Sequence, residues 1–433
     1  MKKLFIGIFF LISFFLTTSP AWGAETERII VKFRRFTPSV LTGETERLKL
    51  KDTYVLKVSK GSSARIIEAL RKNFNVEYAE EDAVALALET PNDPGFPNQW
   101  GLTKIKAPGA WDATHGEGSV DIAIVDTGIN INHPDLGSKI ALSINCTLSG
   151  CPAATTTDPD GHGTHVAGIA SAITNNGIGV AGLSWDGRLM SVKSLDDNGS
   201  GYYSWIANGI IAASDAGAEV INLSLGGTSS SYTLESAVNY AWSHGVVVVA
   251  AAGNNGRNRR LYPAYYTNAI AVAATDQNDK KASFSNYGGW VEVAAPGVSI
   301  YSTYGSGYTN LSGTSMSTPF VSGLAGLIFG QNPGWSNFQV RNQIQSTADA
   351  ITGTGRYWTY GRINACAAVG CVESLSTPIP TTAPTATPTA TPTSSPTVMS
   401  SPTSTPTATP TATPTSSPKP WWCKYFPNDS SCQ

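Results

Sequence analysis

The chain has 433 residues, too many for one small core, and carries 29 Lys and Arg against 31 Asp and Glu, a formal charge of −2. A balance so near neutral offers no electrostatic footprint for nucleic acid or an anionic membrane surface, and both are set aside as partners. The length points to one large domain with accessory segments. In chain order, Lys2 and Lys3 precede an apolar run over residues 4–16, and Ala21 and Gly23 put small residues where a signal peptidase reads. The run is short for a spanning helix, so residues 1–23 read as an export signal cut near Gly23 or Ala24, and the product is expected outside the cell or at its surface.

Residues 25–88 form a small unit. Residues 28–33 and 54–58 alternate like strands, 63–73 carry Ile66, Ile67 and Leu70 at amphipathic-helix spacing, and 76–84 return to an extended pattern. From Pro91 to about Ala368 strands and helices alternate. Buried strands are predicted at 120–125, 188–194, 219–225, 245–252, 269–274 and 291–295, with helices near 162–173, 203–216, 232–244, 315–330 and 336–347. This alternation predicts an α/β fold, a mainly parallel sheet with helices on both faces and a substantial core.

The chemistry lies at three separated motifs. The strand at 120–125 ends at Asp126-Thr127-Gly128, placing a carboxylate at the C-terminal edge of the sheet, where open α/β sheets keep their sites. His162 and His165 stand in Asp160-Gly161-His162-Gly163-Thr164-His165, with glycines on both sides of His162 that leave its ring accessible. At Gly313-Thr314-Ser315-Met316-Ser317-Thr318-Pro319 the pattern turns helical, with Val321, Leu324, Ala325 and Ile328 on one buried face. Ser315 therefore sits at or just before a helix N-terminus, where free N–H groups and the dipole favour developing negative charge.

A serine nucleophile needs a base, and the base an orienting acid, which gives the order Asp126, His162, Ser315. Singly, each has a commoner use: a turn aspartate, one of a zinc-binding histidine pair, a helix-capping serine. A zinc protease wants His-Glu-x-x-His, however, and only Gly163 and Thr164 separate these histidines. Jointly the three point to acyl transfer. Asn254 follows the predicted strand and Gly253, so its amide would emerge beside the same sheet edge and donate, with the Ser315 N–H, to an oxyanion. Asn255-Gly256 also reads as a turn.

The motifs DTG, HGTHVAG and GTSMSTP, with AAGNNG at residues 251–256, resemble those of the subtilisin-like serine proteases (subtilases) over about residues 92–368. Asn92-Asp93-Pro94 and Gln99-Trp100-Gly101-Leu102 are most similar to the thermitase-like branch. The resemblance implies a secreted endopeptidase acting on proteins or peptides and made as a zymogen, with a peptidase domain at 89–373. Residues 25–88 would be an inhibitor-like propeptide that templates the slow, non-local sheet and leaves its C-terminal strand in the groove, with self-cleavage within residues 86–90. The resemblance also implies an extended peptide paired between Gly199-Ser200-Gly201 and Ser224-Leu225-Gly226, a backbone recognition that gives broad specificity. Asn255 near the pocket carries no charge, and no acidic cluster marks a dibasic processing enzyme. Calcium is implied at Asp93, Asp135 and a loop supplying Thr174, Asn176, Ile178 and Val180, a set of hard oxygen donors. A monomer is expected.

Six cysteines in an exported chain read as neighbouring disulfides, Cys146 with Cys151, Cys366 with Cys371 and Cys423 with Cys432, none in a catalytic motif. Residues 374–420 are rich in Thr, Pro, Ala and Ser, repeat PTATPTATPTSSP at 384–396 and 406–418, and read as an extended, disordered linker. Residues 421–433 form a short aromatic tag around two cysteines, read as a cell-wall or glycan contact, a sorting signal, or a capped tail. An α/β-hydrolase esterase is set aside, since Ser317 stands where its second glycine belongs and the order of catalytic groups is reversed.

Overall fold

The computed structural model describes residues 26–34, 45–83, 89–116 and 120–371. The export signal, the linker, the C-terminal tag, the Cys423–Cys432 pair and residues 86–88 of the cleavage window lie outside the described residues. The chain divides into two compact units, Met1–Ala87 and Leu88–Gln433.

The first unit contains β1 (Thr26–Phe33), β2 (Thr45–Arg47), β3 (Thr53–Ser59), α1 (Ser63–Arg71) and β4 (Val76–Glu81). Its antiparallel sheet runs β2-β3-β1-β4. Alternate residues Ile29, Val31 and Phe33 turn to one face and pack with Leu56, Val76 and Ala79 against Ile66, Ile67 and Leu70 of α1. β2 has no counterpart in the sequence reading because Thr45, Glu46 and Arg47 are all exposed and show no alternation.

The second unit opens with the short helices α2 (Trp100–Lys104) and α3 (Ala107–Trp111). It continues through β5 (Asp121–Asp126), β6 (Ile140–Asn145), α4 (His162–Ser171), β7 (Arg188–Lys193), α5 (Tyr203–Asp215), β8 (Val220–Leu223), α6 (Tyr232–Ser243), β9 (Val247–Ala251), β10 (Ala269–Thr275) and β11 (Val293–Pro296). A hairpin of β12 (Ile300–Tyr304) and β13 (Gly307–Leu311) follows, then α7 (Thr314–Gln331), α8 (Asn337–Ser346), β14 (Gly361–Arg362) and α9 (Ala365–Ala368).

Eight strands form one sheet in the order β14-β11-β10-β9-β8-β5-β7-β6, with every pairing parallel. The strand period of two splits its side chains between two cores. Ile122, Ile124, Val247 and Val249 face α4 and α7, whereas Ala123, Val125, Val248 and Ala250 face α5 and α6. Helices thus cover both faces, as a parallel sheet requires. From β5 the chain builds β6 and β7 to one side and β8 onward to the other, so the C-terminal end of β5 is the point where strand order reverses and a crevice opens. Asp126 is the last residue of that strand.

One expectation is corrected. α7 was read as presenting a single buried face, but all its residues from Thr314 to Gly330 are buried except Ser315. It is a central helix, enclosed by the sheet and α4, and its small residues Gly323 and Gly326 let neighbouring backbone and side chains approach. A helix buried all round, with Thr314, Ser317, Thr318 and Ser322 enclosed beside its apolar residues, carries no single stripe, which is why periodicity alone understated it. Cys146 is bonded to Cys151 and Cys366 to Cys371, each across a sequence separation of 5. No helix among the described residues is long and apolar enough to cross a membrane.

Candidate active site

Asp126 is fully buried. Its Oδ1 accepts from His162 Nδ1 at 2.7 Å and from the Thr127 N–H at 2.8 Å, while Oδ2 is buried with no hydrogen-bond partner among the described residues. His162 begins α4, and the approach is close because Gly163 has no side chain: a Cβ there would stand 2.1 Å from the Gly128 carbonyl oxygen. Burial is the largest single influence on the His162 ring and disfavours its charge. The charge of Asp126 and the hydrogen bond with it, with Asp160 and Asp158 behind, outweigh burial and push its pKa up to about 9.

A residue absent from the sequence reading ties Asp126 to His162. Asp158 is buried and accepts four hydrogen bonds: from Thr127 Oγ1 at 2.7 Å, Gly161 N at 2.9 Å, Thr164 N at 2.7 Å and Thr164 Oγ1 at 2.6 Å. Thr127 Oγ1 in turn accepts from Gly163 N at 2.9 Å. The turn after β5 and the first turn of α4 are therefore one hydrogen-bonded block that fixes the imidazole against the carboxylate. The signal available in the sequence was an aspartate four residues before His162, in a segment with the composition of an ordinary turn.

His165 plays a different part. Its Nε2 faces the carbonyls of Ile300, at 3.0 Å, and Thr309, at 3.2 Å, and so must donate. Burial pulls its pKa down to about 3, and the neutral ring pins α4 to the hairpin. With Nδ1 of His162 on Asp126, the two histidines are not arranged as a zinc pair.

Ser315 lies in the first turn of α7. Its Oγ donates to the Ser224 carbonyl at 3.0 Å, and Ser224 Oγ donates back to the Ser315 carbonyl at 2.8 Å. That carbonyl is free to accept because Pro319, four residues on, has no N–H to give it. Ser224 is held by Asn222, whose Nδ2 donates to Ser224 Oγ at 2.9 Å, and Ser322 Oγ donates to Asn222 Oδ1 at 2.9 Å. Buried Asn222 and Ser322 thus lock the end of β8 to α7, a role the sequence reading did not assign.

Asn254 leaves β9 on the same edge. Its Oδ1 accepts from Thr314 N at 2.8 Å and Thr314 Oγ1 at 3.0 Å, which directs Nδ2 the other way. Thr314 Oγ1 also accepts from Gly253 N at 3.0 Å. A Cβ on Gly313 would stand 3.3 Å from Asn254 Nδ2 and 3.6 Å from the Ser315 nitrogen, so these two donors converge on one small space beside Gly313. Fully buried Asn286 secures the loop beyond, its Oδ1 accepting from Asn255 N at 3.0 Å and its Nδ2 donating to the Ala252 carbonyl at 2.9 Å.

The remaining candidates distribute around this edge. Gly199, Ser200 and Gly201 form a turn after β7, where Asp196 accepts from Ser200 N at 3.0 Å, and Gly201 packs on the Ser194 carbonyl. Ser224, Leu225 and Gly226 continue β8 past Ser315, and Gly226 packs against Leu261. Asn255 is exposed. Away from the site, Asp135 Oδ1 accepts from Asn176 Nδ2 at 2.8 Å and Oδ2 from Val180 N at 2.8 Å, while Asp93 Oδ2 accepts from Asn175 N at 2.8 Å. Both carboxylates are buried, and burial, with Asp93 nearby, raises the pKa of Asp135. Thr174 turns its hydroxyl to Gly182 N at 2.9 Å, closing the loop, and Ile178 N donates to Asn176 Oδ1 at 2.9 Å.

Over residues 117–372 the chain matches the model of the subtilase family (Peptidase_S8). The chain belongs to the subtilase family. It is a subtilisin-like serine protease, 55% identical over 282 residues to thermitase of Thermoactinomyces vulgaris, an alignment covering 65% of this chain and 99% of that one. It is also 49% identical over 328 residues to a thermophilic serine proteinase of a Bacillus species, covering 75% and 80% of the two chains. The thermitase-like character read from residues 92–94 and 99–102 holds at that similarity. Among solved structures, a protease from Pseudoalteromonas arctica matches with a TM-score of 0.60 at 34% identity, over 65% of this chain and 99% of that one. This subtilase therefore acts on protein or peptide substrates.

Proposed function

We propose that this subtilase is a secreted serine endopeptidase of broad specificity that works through Asp126, His162 and Ser315 with Asn254 as an oxyanion donor. Ser315 Oγ attacks the substrate carbonyl carbon while its proton passes to His162, and Asp126 holds the ring and stabilises the imidazolium. The carbonyl oxygen becomes an oxyanion between Asn254 Nδ2 and the Ser315 N–H. The C–N bond breaks as His162 returns the proton to the leaving amine, and water then hydrolyses the acyl-enzyme by the same path. The observation that carries the reading is the convergence of Asn254 Nδ2 and Ser315 N on one point beside Gly313, in a chain whose His162 Nδ1 lies 2.7 Å from Asp126 Oδ1. The test is digestion of a peptide library by the matured protein beside its Ser315→Ala variant. Cleavages shared by both, or none in either, would sink the assignment.

The flanking segments fit export and self-processing. Residues 1–23 serve as the signal, the unit over residues 25–88 as an inhibitory propeptide, and residues 89–373 as the peptidase, cut free within residues 86–90. The linker at 374–420 spaces a tag at 421–433 that contacts cell wall or glycan, and the mature enzyme acts as a monomer.

Calcium fits the Asp93 and Asp135 region. Two buried carboxylates face one loop, and burial resists the charge on Asp135; no group of three or more His, Cys, Asp or Glu that could hold a metal occurs among the described residues, so the other donors would have to be loop oxygens. A cation there would offset that charge, held by Asp93, Asp135 and the loop of Thr174, Asn176, Ile178 and Val180, and would brace the loop without entering the reaction. Asn176 presents its nitrogen to Asp135, so ligation through its oxygen requires that amide to turn. Chelation is expected to lower the melting temperature and speed autolysis, with recovery on adding calcium; an unchanged melting curve would remove the site.

A further inference from the structure

The loop from Asn254 to Tyr262 leaves the oxyanion donor and returns to the proposed groove. Its far end pairs with the residue after the groove strand, Gly227 N donating to the Tyr262 carbonyl at 2.8 Å and Tyr262 N to the Gly227 carbonyl at 2.9 Å. Just before it, the buried Leu261 side chain packs against both Gly226 and Gly253. The loop and the Ser224–Gly226 segment therefore border one space next to the oxyanion donors. A peptide carbonyl seated at Asn254 and Ser315 would direct the side chain of its own residue toward that space.

Three of the six residues at 255–260 are arginines, Arg257, Arg259 and Arg260, all exposed. None pairs with a carboxylate among the described residues, and residues 251–275 contain no Asp or Glu. The proposed groove segments, residues 199–206 and 222–231, carry no charge at all. The loop backbone is held firmly: Asn286 Oδ1 accepts from Arg257 N at 3.3 Å, Asn286 Nδ2 donates to the Arg259 carbonyl at 3.3 Å, and Trp290 Nε1 donates to Asn258 Oδ1 at 3.2 Å. Arg260 lies over the Tyr265 ring, 4.2 Å from its centroid. A rigid backbone carrying uncompensated guanidinium groups beside an uncharged groove is a preorganised rim for a carboxylate.

We propose that Arg257, Arg259 and Arg260 bias the enzyme toward substrates with Asp or Glu immediately before the cleaved bond. The inference rests on the proposed peptidase reading and narrows its broad specificity. Carboxylates lie on the other sides of the site, Asp158 and Asp160 behind His162 and Asp196 in the Gly199–Gly201 turn, where it accepts from Ser200 N at 3.0 Å, so the positive end of the cleft is at the loop. Exposed arginine–carboxylate contacts are individually weak, and a combined preference of about tenfold is expected at low salt.

The test measures kcat/KM of the matured protein on quenched peptides that differ only in the residue before the scissile bond, as Glu, Gln, Lys or Leu. Glu is expected to exceed Gln by about tenfold and Lys to fall below Gln, with the Glu advantage shrinking in roughly 1 M salt, where the screening length is about 3 Å. In a triple Arg→Ser variant the Glu/Gln ratio should approach one. A ratio of one or less in the wild-type protein, or the same ratio in the triple variant, would overturn the proposal. Cleavage of the Leu peptide separates this failure from failure of the peptidase reading. If no peptide of the set is cleaved and Ser315 takes no fluorophosphonate, the underlying assignment falls and the preference with it.

Discussion

The Ser315→Ala variant is expected to lose roughly 10⁶ in kcat, a loss of the size measured for a subtilisin, while still binding peptide. The reason is that the acyl-enzyme has no other route: alanine leaves the oxyanion donors and groove in place but removes the atom that forms the bond. The same logic predicts strong non-additivity. His162→Ala should cost about as much as Ser315→Ala, and the double variant little more than either, because without its base the hydroxyl keeps its proton. Single-turnover kinetics on one peptide across the four proteins measures this. Losses that multiplied in the double variant would mean the two side chains act separately.

Asn254→Ala is the second large effect, a fall of about 10² to 10³ in kcat with KM nearly unchanged, equivalent to about 3 to 4 kcal/mol. The magnitude comes from the equivalent contact in a subtilisin; the direction follows from this geometry. Thr314 holds Asn254 Oδ1 from two sides, so Nδ2 is already aimed at the space beside Gly313 before substrate arrives. An aimed dipole acts on the charge that develops in the transition state and hardly on the neutral carbonyl, which is why kcat and not KM should move. Thr314→Val is expected to give a smaller loss of the same kind, by freeing the amide to rotate. Equal damage to KM and kcat in Asn254→Ala would point instead to a collapsed loop.

Much of this was legible in the sequence. Residues 120–125 and 269–274 are short, mostly apolar runs with helical patterns between them, and a chain of that kind has few ways to bury its strands except a parallel sheet covered on both faces. The motif residues Asp126, His162, Ser315 and Asn254 could be singled out because each lies at, or within three residues of, the end of an element on the same sheet edge. What escaped was the support behind them. Asp158, Asn222, Asn286 and Ser322 are polar residues whose meaning lies in partners distant along the chain: Asn222 and Ser322 are 100 residues apart. No local pattern distinguishes a buried asparagine with a partner from a surface one. The strands β2, β6, β12, β13 and β14 were not predicted: β2, β6 and β13 are mostly exposed or half-buried, β12 buries polar Ser302 and Thr303 beside Ile300, and the buried β14 is only two residues long, too short to show a period.

The account depends on His162 serving as the base for Ser315, and the rate of phosphonylation of Ser315 against pH tests that directly. Only the neutral ring can accept the serine proton, and Asp126, Asp158 and Asp160 raise the pKa of His162 toward about 9, so the neutral fraction grows as pH rises. The account predicts a fluorophosphonate adduct on Ser315 alone, formed at a rate that climbs with pH through an ionisation above the ordinary histidine value of 6.5, and no measurable labelling in His162→Ala. An adduct on another residue, or labelling of Ser315 that persists in His162→Ala, would contradict it.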